Sequence, residues 1–286
     1  MPMSNSEIKF AVTTKEAIAS STSKGNVIKW CKDCNGTRMW LKADYLGYEG
    51  LSEVIASRVA MQTNLYNTIG VVEYQPCKIV TENGRRHVGC YSVNYIPNNV
   101  EEITLGKLVK RLLACSYEDI KNKCGEDFVR TLINSICEYM NISHEQVTAY
   151  LSYIVQFDAL ILNEDRHVNN ILFFRDSNTY RWSTAPVFDN GLSLLSDLKL
   201  DYGYNVPLDV CLRKVSNKAK PFVRSFSKQI RLLQQYTPVQ LELADCVNVQ
   251  ISDLYNYYNE QAIQRVCKVL EIQIQKYFAG TRIVYN

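Results

Sequence analysis

The sequence predicts an α+β chain in two lobes, a small β-rich one over residues 1–98 and a larger α-helical one over residues 99–286. Three observations carry this. Two strand-like runs, NVIKWCK and TRMWLKAD, flank Asp33-Cys34-Asn35-Gly36, whose Asn-Gly pair supplies the positive φ angles of a tight hairpin. Pro97-Asn98-Asn99 then breaks the strand pattern, and beyond it apolar residues recur at helical spacing. Inside the helical half a second hairpin is written as ILFF, the turn Asp176-Ser177-Asn178, and YRWSTAPVF.

Taken in order, SSTSKGN, Ser20 to Asn26, is a hydroxyl-rich loop with one glycine between two strands. After the first hairpin, Glu49 to Leu65 carries Leu51, Val54, Ile55, Arg58 and Val59 on a helical period. VVEYQPCKIV and HVGCYSVNYI read as strands separated by the turn ENGRR. EEITLGKLVKRLLACS and EDFVRTLINSICEYM read as helices, and Ser143-His144-Glu145-Gln146 fits a capping box that opens a long helix ending at Leu162. Its buried stripe is Val147, Leu151, Ile154, Val155 and Ile161. SFSKQIRLLQQY and the tyrosine-rich DLYNYYNEQAIQRVCKVLEIQIQKYF are helical again, with Tyr255, Tyr257 and Tyr258 as packing residues.

Composition narrows the partners. With 286 residues and 47% of them hydrophobic, the chain can bury a real core. Its 32 Lys and Arg against 29 Asp and Glu give a net charge of +3, too small to argue for a nucleic-acid or membrane surface, and neither is predicted. The best apolar run, Leu151 to Leu162, is interrupted by Gln156 and Asp158 and falls short of the ~18 to 20 residues that span a bilayer. The start, MPMSNSEIKF, has neither a basic region nor an apolar one, so the ten cysteines read as reduced thiols of a cytoplasmic protein. Cys31 and Cys34 form one CxxC, half of a zinc site with no second half, and read as hairpin cysteines.

The chemistry concentrates in NEDRHVNN, Asn163 to Asn170, and PVFDNG, Pro186 to Gly191. A hairpin returns its chain to its origin, which brings Asn170, just before ILFF, near Asp189, just after APVF. One carboxylate and one amide oxygen, completed by water and phosphate, suit magnesium, and Asp165 beside them can orient or accept the proton of an attacking hydroxyl. Lys42, inside the apolar stretch MWLKAD, is out of place without a partner, and either Glu53 or Glu49 on the next helix offers one. Asp158, in an apolar helix face, needs donors from the loop or from Arg166 and is read as structural.

These residues resemble the HipA-like serine/threonine kinases and, more distantly, the phosphatidylinositol 3- and 4-kinases, through Asn163-x-Asp165-Arg166-His167-x-x-Asn170 followed by a hairpin and Asp189-Asn190-Gly191. The likeness runs in order from about Ser20 to Leu195, while GxGxxG, HRD, DFG and APE are missing. It implies a two-lobed protein-kinase-like fold using ATP and Mg2+, with Asp165 and Lys42 catalytic and Asn170 and Asp189 holding the metal. It makes Ser21, Thr22, Ser23, Lys24 and Gly25 a phosphate loop, open to phosphorylation in cis, and Lys42 with Glu53 a phosphate anchor. Val93, Asn94 and Tyr95 become part of an adenine hinge over Tyr91 to Ile96, and His167 braces the loop. The expected substrate is a serine or threonine of a protein, with a neutralising or regulatory partner protein, in a toxin or effector that is cytoplasmic or secreted without a cleavable signal. A lipid kinase and a nucleotide-binding pseudokinase are the alternatives. The basic segment KAKPFVRSFSKQ, Lys218 to Gln229, is a place for substrate contacts by chain order.

Overall fold

The computed structural model describes residues 8–9, 28–34, 37–81 and 84–286. Its first sheet runs β1-β4-β5-β3-β2, from β1 (Ile8–Lys9), β2 (Ile28–Cys34), β3 (Thr37–Ala43), β4 (Gln75–Val80) and β5 (Arg86–Val93). All pairs are antiparallel except β1 with β4. The β2–β3 register closes at Cys34 opposite Thr37, the pairing a two-residue Asn-Gly turn dictates. The turn itself lies outside the described residues. The period of two along β3 sends Met39, Leu41 and Ala43 into the apolar side, where Leu41 and Ala43 meet Cys77 and Ile79. Lys42 is thereby turned to the opposite face.

On that face lies the helix Glu49–Ala60, buried at every residue except Arg58. Gly50 lets it approach β5, and Gly89 lets β5 approach β3. A Cβ on Gly50 would stand 2.8 Å from the Cα of Gly89, and one on Gly89 would stand 1.9 Å from the carbonyl oxygen of Lys42. Only a bare backbone fits at either position. The helix expected to reach Leu65 stops at Ala60, where the Thr63 hydroxyl donates to the Ala60 carbonyl at 2.7 Å, and a short helix, Asn64–Thr68, follows.

Beyond Pro97 the expectation of an immediate helix is corrected. Val100–Thr104 is a strand, β6, antiparallel to β7 (Leu172–Asp176), which pairs with β8 (Trp182–Thr184). Thr104 then caps the helix Leu105–Leu113, accepting from the amide of Lys107. A further helix, Tyr117–Cys124, begins at a capping box of Ser116 and Asp119 that the sequence reading passed over. The box at Ser143 and Gln146 forms as expected and opens the helix His144–Ile161, which is buried along most of its length. Helices Leu208–Val215, Phe226–Gln234 and Glu260–Tyr277 complete this part, with an unforeseen parallel pair, β9 (Cys246–Val249) and β10 (Arg282–Tyr285).

The result is a mixed α/β chain with small sheets and many helices. One continuous apolar core runs from Leu51, Val54 and Ile55 through Leu151 and Val155 to Val266 and Leu270. Among the described residues no helix is long and apolar enough to cross a membrane. Cys77, Cys90, Cys115, Cys124, Cys137, Cys211, Cys246 and Cys267 are free thiols.

Candidate active site

Lys42 is the first organising group. Its Nζ lies 2.5 Å from Glu53 Oε1 and 2.8 Å from Asp189 Oδ1, and 4.8 Å from the centre of the Tyr74 ring. Burial alone would pull the lysine pKa down, but the carboxylates of Asp189 and Glu53 overcome it and hold the pKa well above the usual value. The ammonium stays charged. Glu53 Oε2 accepts from the amide of Asn190 at 2.8 Å, so the same glutamate fixes the segment after Asp189. Glu49 does other work: its carboxylate accepts from the amides of Tyr45, Leu46 and Gly47, closing the loop ahead of its helix.

Arg166 is the second. It is fully buried, and its guanidinium donates to Asp158 through Nε (3.2 and 3.1 Å) and Nη2 (3.1 Å). Nη2 also reaches Asn190 Oδ1 at 2.6 Å, while Nη1 bridges the carbonyls of Asn170 (3.2 Å) and Phe188 (2.5 Å). One side chain thus ties the end of the long helix, the polar loop and the far strand of the hairpin together. That brings the Asn170 carbonyl and the residues on either side of Asp189 to one guanidinium. Asp158 and Arg166 form the structural pair expected from sequence; burial pushes the Asp158 carboxyl up, against the pull of Arg166.

Asp165 sits at the tip of this loop, its amide bonded to Asn163 Oδ1 (3.0 Å) and its carbonyl accepting from Asn170 Nδ2 (3.1 Å). With its nitrogen so committed, the Asn170 side chain has its oxygen left for a cation. The Asp165 carboxylate faces two bases: Lys220 Nζ stands 2.9 Å from Oδ1, and His167 Nε2 stands 3.9 Å from Oδ2. His167 Nδ1 accepts from the amide of Asn169 at 3.2 Å, which places the proton of the neutral ring on Nε2. Burial lowers the His167 pKa below its usual 6.5, against the pull of Asp165. Asp189 itself has φ +58, the left-handed region that Asp tolerates better than most residues.

In the segment of Val93, Asn94 and Tyr95, Val93 is exposed at the end of β5. The Asn94 side chain accepts from Trp40 Nε1 (3.0 Å) and donates to the Ile96 carbonyl (2.9 Å), and its backbone N–H donates to the Arg38 carbonyl (2.8 Å). Tyr95 stacks on Phe188 at 5.5 Å, beside Asp189. Ser21, Thr22, Ser23, Lys24 and Gly25 lie outside the described residues. Three participants were not singled out for the site from sequence: Asn190, Tyr74 and Lys220. Asn190 had a signal, its adjacency to Asp189; Lys220 had only the basic character of its segment. A separate acidic group, Glu164, Asp197 and Asp201, is engaged by Lys218 and by the Tyr202 hydroxyl.

A solved structure shows the fold. A proinflammatory kinase of Helicobacter pylori, CtkA, superposes with a TM-score of 0.60 at 15% identity, over 96% of this chain and 96% of that one. The chain shares its fold with that protein. HipA in its Shewanella oneidensis complex with HipB and operator DNA aligns at a TM-score of 0.36 and 12% identity, over 91% of this chain and 66% of that one, too slight a likeness to argue from. No family model and no curated protein matches the sequence.

Proposed function

We propose that this chain is an ATP- and magnesium-dependent kinase of the HipA-like type, with two lobes at residues 1–98 and 99–286, that phosphorylates a serine or threonine of a protein. The observation that carries the reading is the junction of Lys42 with both Glu53 and Asp189, beside the loop of Asp165 and Asn170, on a fold shared with a kinase. A buried, charged lysine held by two carboxylates is costly unless it has work to do.

In this reading Lys42 contacts the nucleotide phosphates, and Glu53 keeps its ammonium in place. Asn170 and Asp189 supply two hard oxygens, the donor set that suits magnesium. The metal, when bound, neutralises phosphate charge. Asp165 orients the acceptor hydroxyl and takes its proton as the acceptor oxygen bonds to the γ-phosphorus and the bond to the β–γ bridging oxygen breaks. Arg166 holds all of these in register without touching the reactants. A neutralising partner belongs to this reading through the family resemblance alone.

Incubation with γ-labelled ATP and magnesium tests it, using a general acceptor protein and the chain itself as acceptors. Wild type should transfer label, with Asp165→Ala and Asp189→Asn slowed by about 10²- to 10⁴-fold. Absence of label in wild type, together with no rise in melting temperature on adding magnesium and ATP, would sink the proposal.

A further inference from the structure

We propose that Lys220 is a catalytic residue of this site, whose ammonium contacts the phosphoryl group while it passes from the nucleotide to the hydroxyl at Asp165. The inference rests on the kinase reading above and adds a residue to it.

Lys220 comes from a segment 55 residues beyond Asp165 and reaches its Oδ1 at 2.9 Å. The turn that presents it is built rather than loose. Gln229, with no exposed surface, donates from Nε2 to the Lys220 carbonyl (2.9 Å) and accepts at Oε1 from the amides of Phe222 (3.0 Å) and Val223 (3.4 Å). Ala219 closes the turn by donating to the Arg224 carbonyl at 2.9 Å. Phe222 is buried in the main core. Yet the lysine side chain is half exposed, at 49%, so the clamp fixes its root and leaves its head at the mouth of the site.

Among the described residues, the other cations near the site are committed. Arg166 is spent on Asp158, Asn190 and two carbonyls and Lys218 on Glu164 and Asp201, while Lys42 is held by Glu53 and Asp189 on the nucleotide side. The loop itself therefore offers no mobile positive charge to the equatorial oxygens of a phosphoryl in flight, where charge is spread during transfer. Lys220 supplies one at the acceptor side, while Lys42 serves the nucleotide side. With Oδ1 of Asp165 held by Lys220, Oδ2 is the oxygen that receives the hydroxyl proton. Lys220 keeps its own proton throughout, and the electron pair of the broken bond leaves with ADP.

The test uses a binding readout beside a kinetic one. Melting temperature is followed with magnesium and ADP, then with aluminium fluoride added as a stand-in for the transferring phosphoryl. Wild type should gain a second rise from the fluoride. Lys220→Ala should keep the first rise, lose the second, retain wild-type melting without ligands, and show a kcat lower by about 10²-fold with KM for ATP nearly unchanged. Lys220→Arg should recover part of both signals. If Lys220→Ala keeps the second rise and its kcat, Lys220 is an ordinary surface ion pair. If Lys220→Ala turns over faster than wild type, the lysine obstructs the acceptor, and the proposal is equally overturned. No first rise in wild type would instead remove the nucleotide site and, with it, this role.

Discussion

The residue that most of the site depends on is Arg166, which touches no reactant. Its removal leaves the Asp158 carboxylate buried without its cation and two main-chain carbonyls without donors. Breaking such a pair from one side costs about 3–5 kcal/mol, whereas replacing both partners by apolar groups is often near neutral. Arg166→Met is therefore expected to lower the free energy of unfolding by that amount in urea titration, and Asp158→Leu with Arg166→Met to recover much of it. If the single variant unfolds like wild type, the pair is not the support described. At this scale the sequence was informative where chemistry was dense: Asp165, Asn170 and Asp189 stand in two short polar phrases, and Lys42 stands out in an apolar strand. It favoured Glu53 over Glu49, one turn earlier, only through the family likeness. The choice depends on where the helix begins and on loop amides of residues 45–47 that Glu49 satisfies. Lys220 was reached only as part of the basic segment Lys218 to Gln229, because nothing local links it to a loop 55 residues earlier.

Among the elements, the contact of the helix Glu49–Ala60 with β5 sets the distance between Lys42 and Glu53. Gly50 and Gly89 make that contact with bare backbone, and the Lys42 carbonyl lies directly beside Gly89. A methyl at Gly89 meets the backbone of Lys42 and Ala43, so the strand must shift rather than a side chain. Gly89→Ala should cost about 1–3 kcal/mol of stability and weaken nucleotide binding by displacing Lys42, as read by calorimetric titration with magnesium and ADP. A variant of wild-type affinity would mean that the lysine is placed by Glu53 and Asp189 instead. Elements were legible where their signals were local, as in the Asn-Gly hairpin register and the Ser143 capping box. β6 was misread because its acidic, mixed sequence resembles a helix start. What makes it a strand is β7, whose Phe173 pairs with Ile103 across a long stretch of chain.

For the whole molecule, the question is whether nucleotide binding is felt throughout. The main core runs without a break from the Glu49–Ala60 helix to the Glu260–Tyr277 helix, while the first sheet has its own small cluster of Leu41, Ala43, Cys77 and Ile79. Lys42 joins that sheet to Glu53 and Asp189, both anchored to the main body through Asn190 and Arg166. A ligand that binds only the folded chain stabilises it by about 2.7 kcal/mol at a hundred times Kd. Variants retaining only Trp40, in β3, or only Trp182, in β8, report on the two regions separately. With magnesium and ADP at that concentration both should melt at the same raised temperature, because unfolding either region destroys the site. A rise confined to Trp40 would instead make the sheet a cooperative unit of its own, one that opens and closes over a body that remains folded.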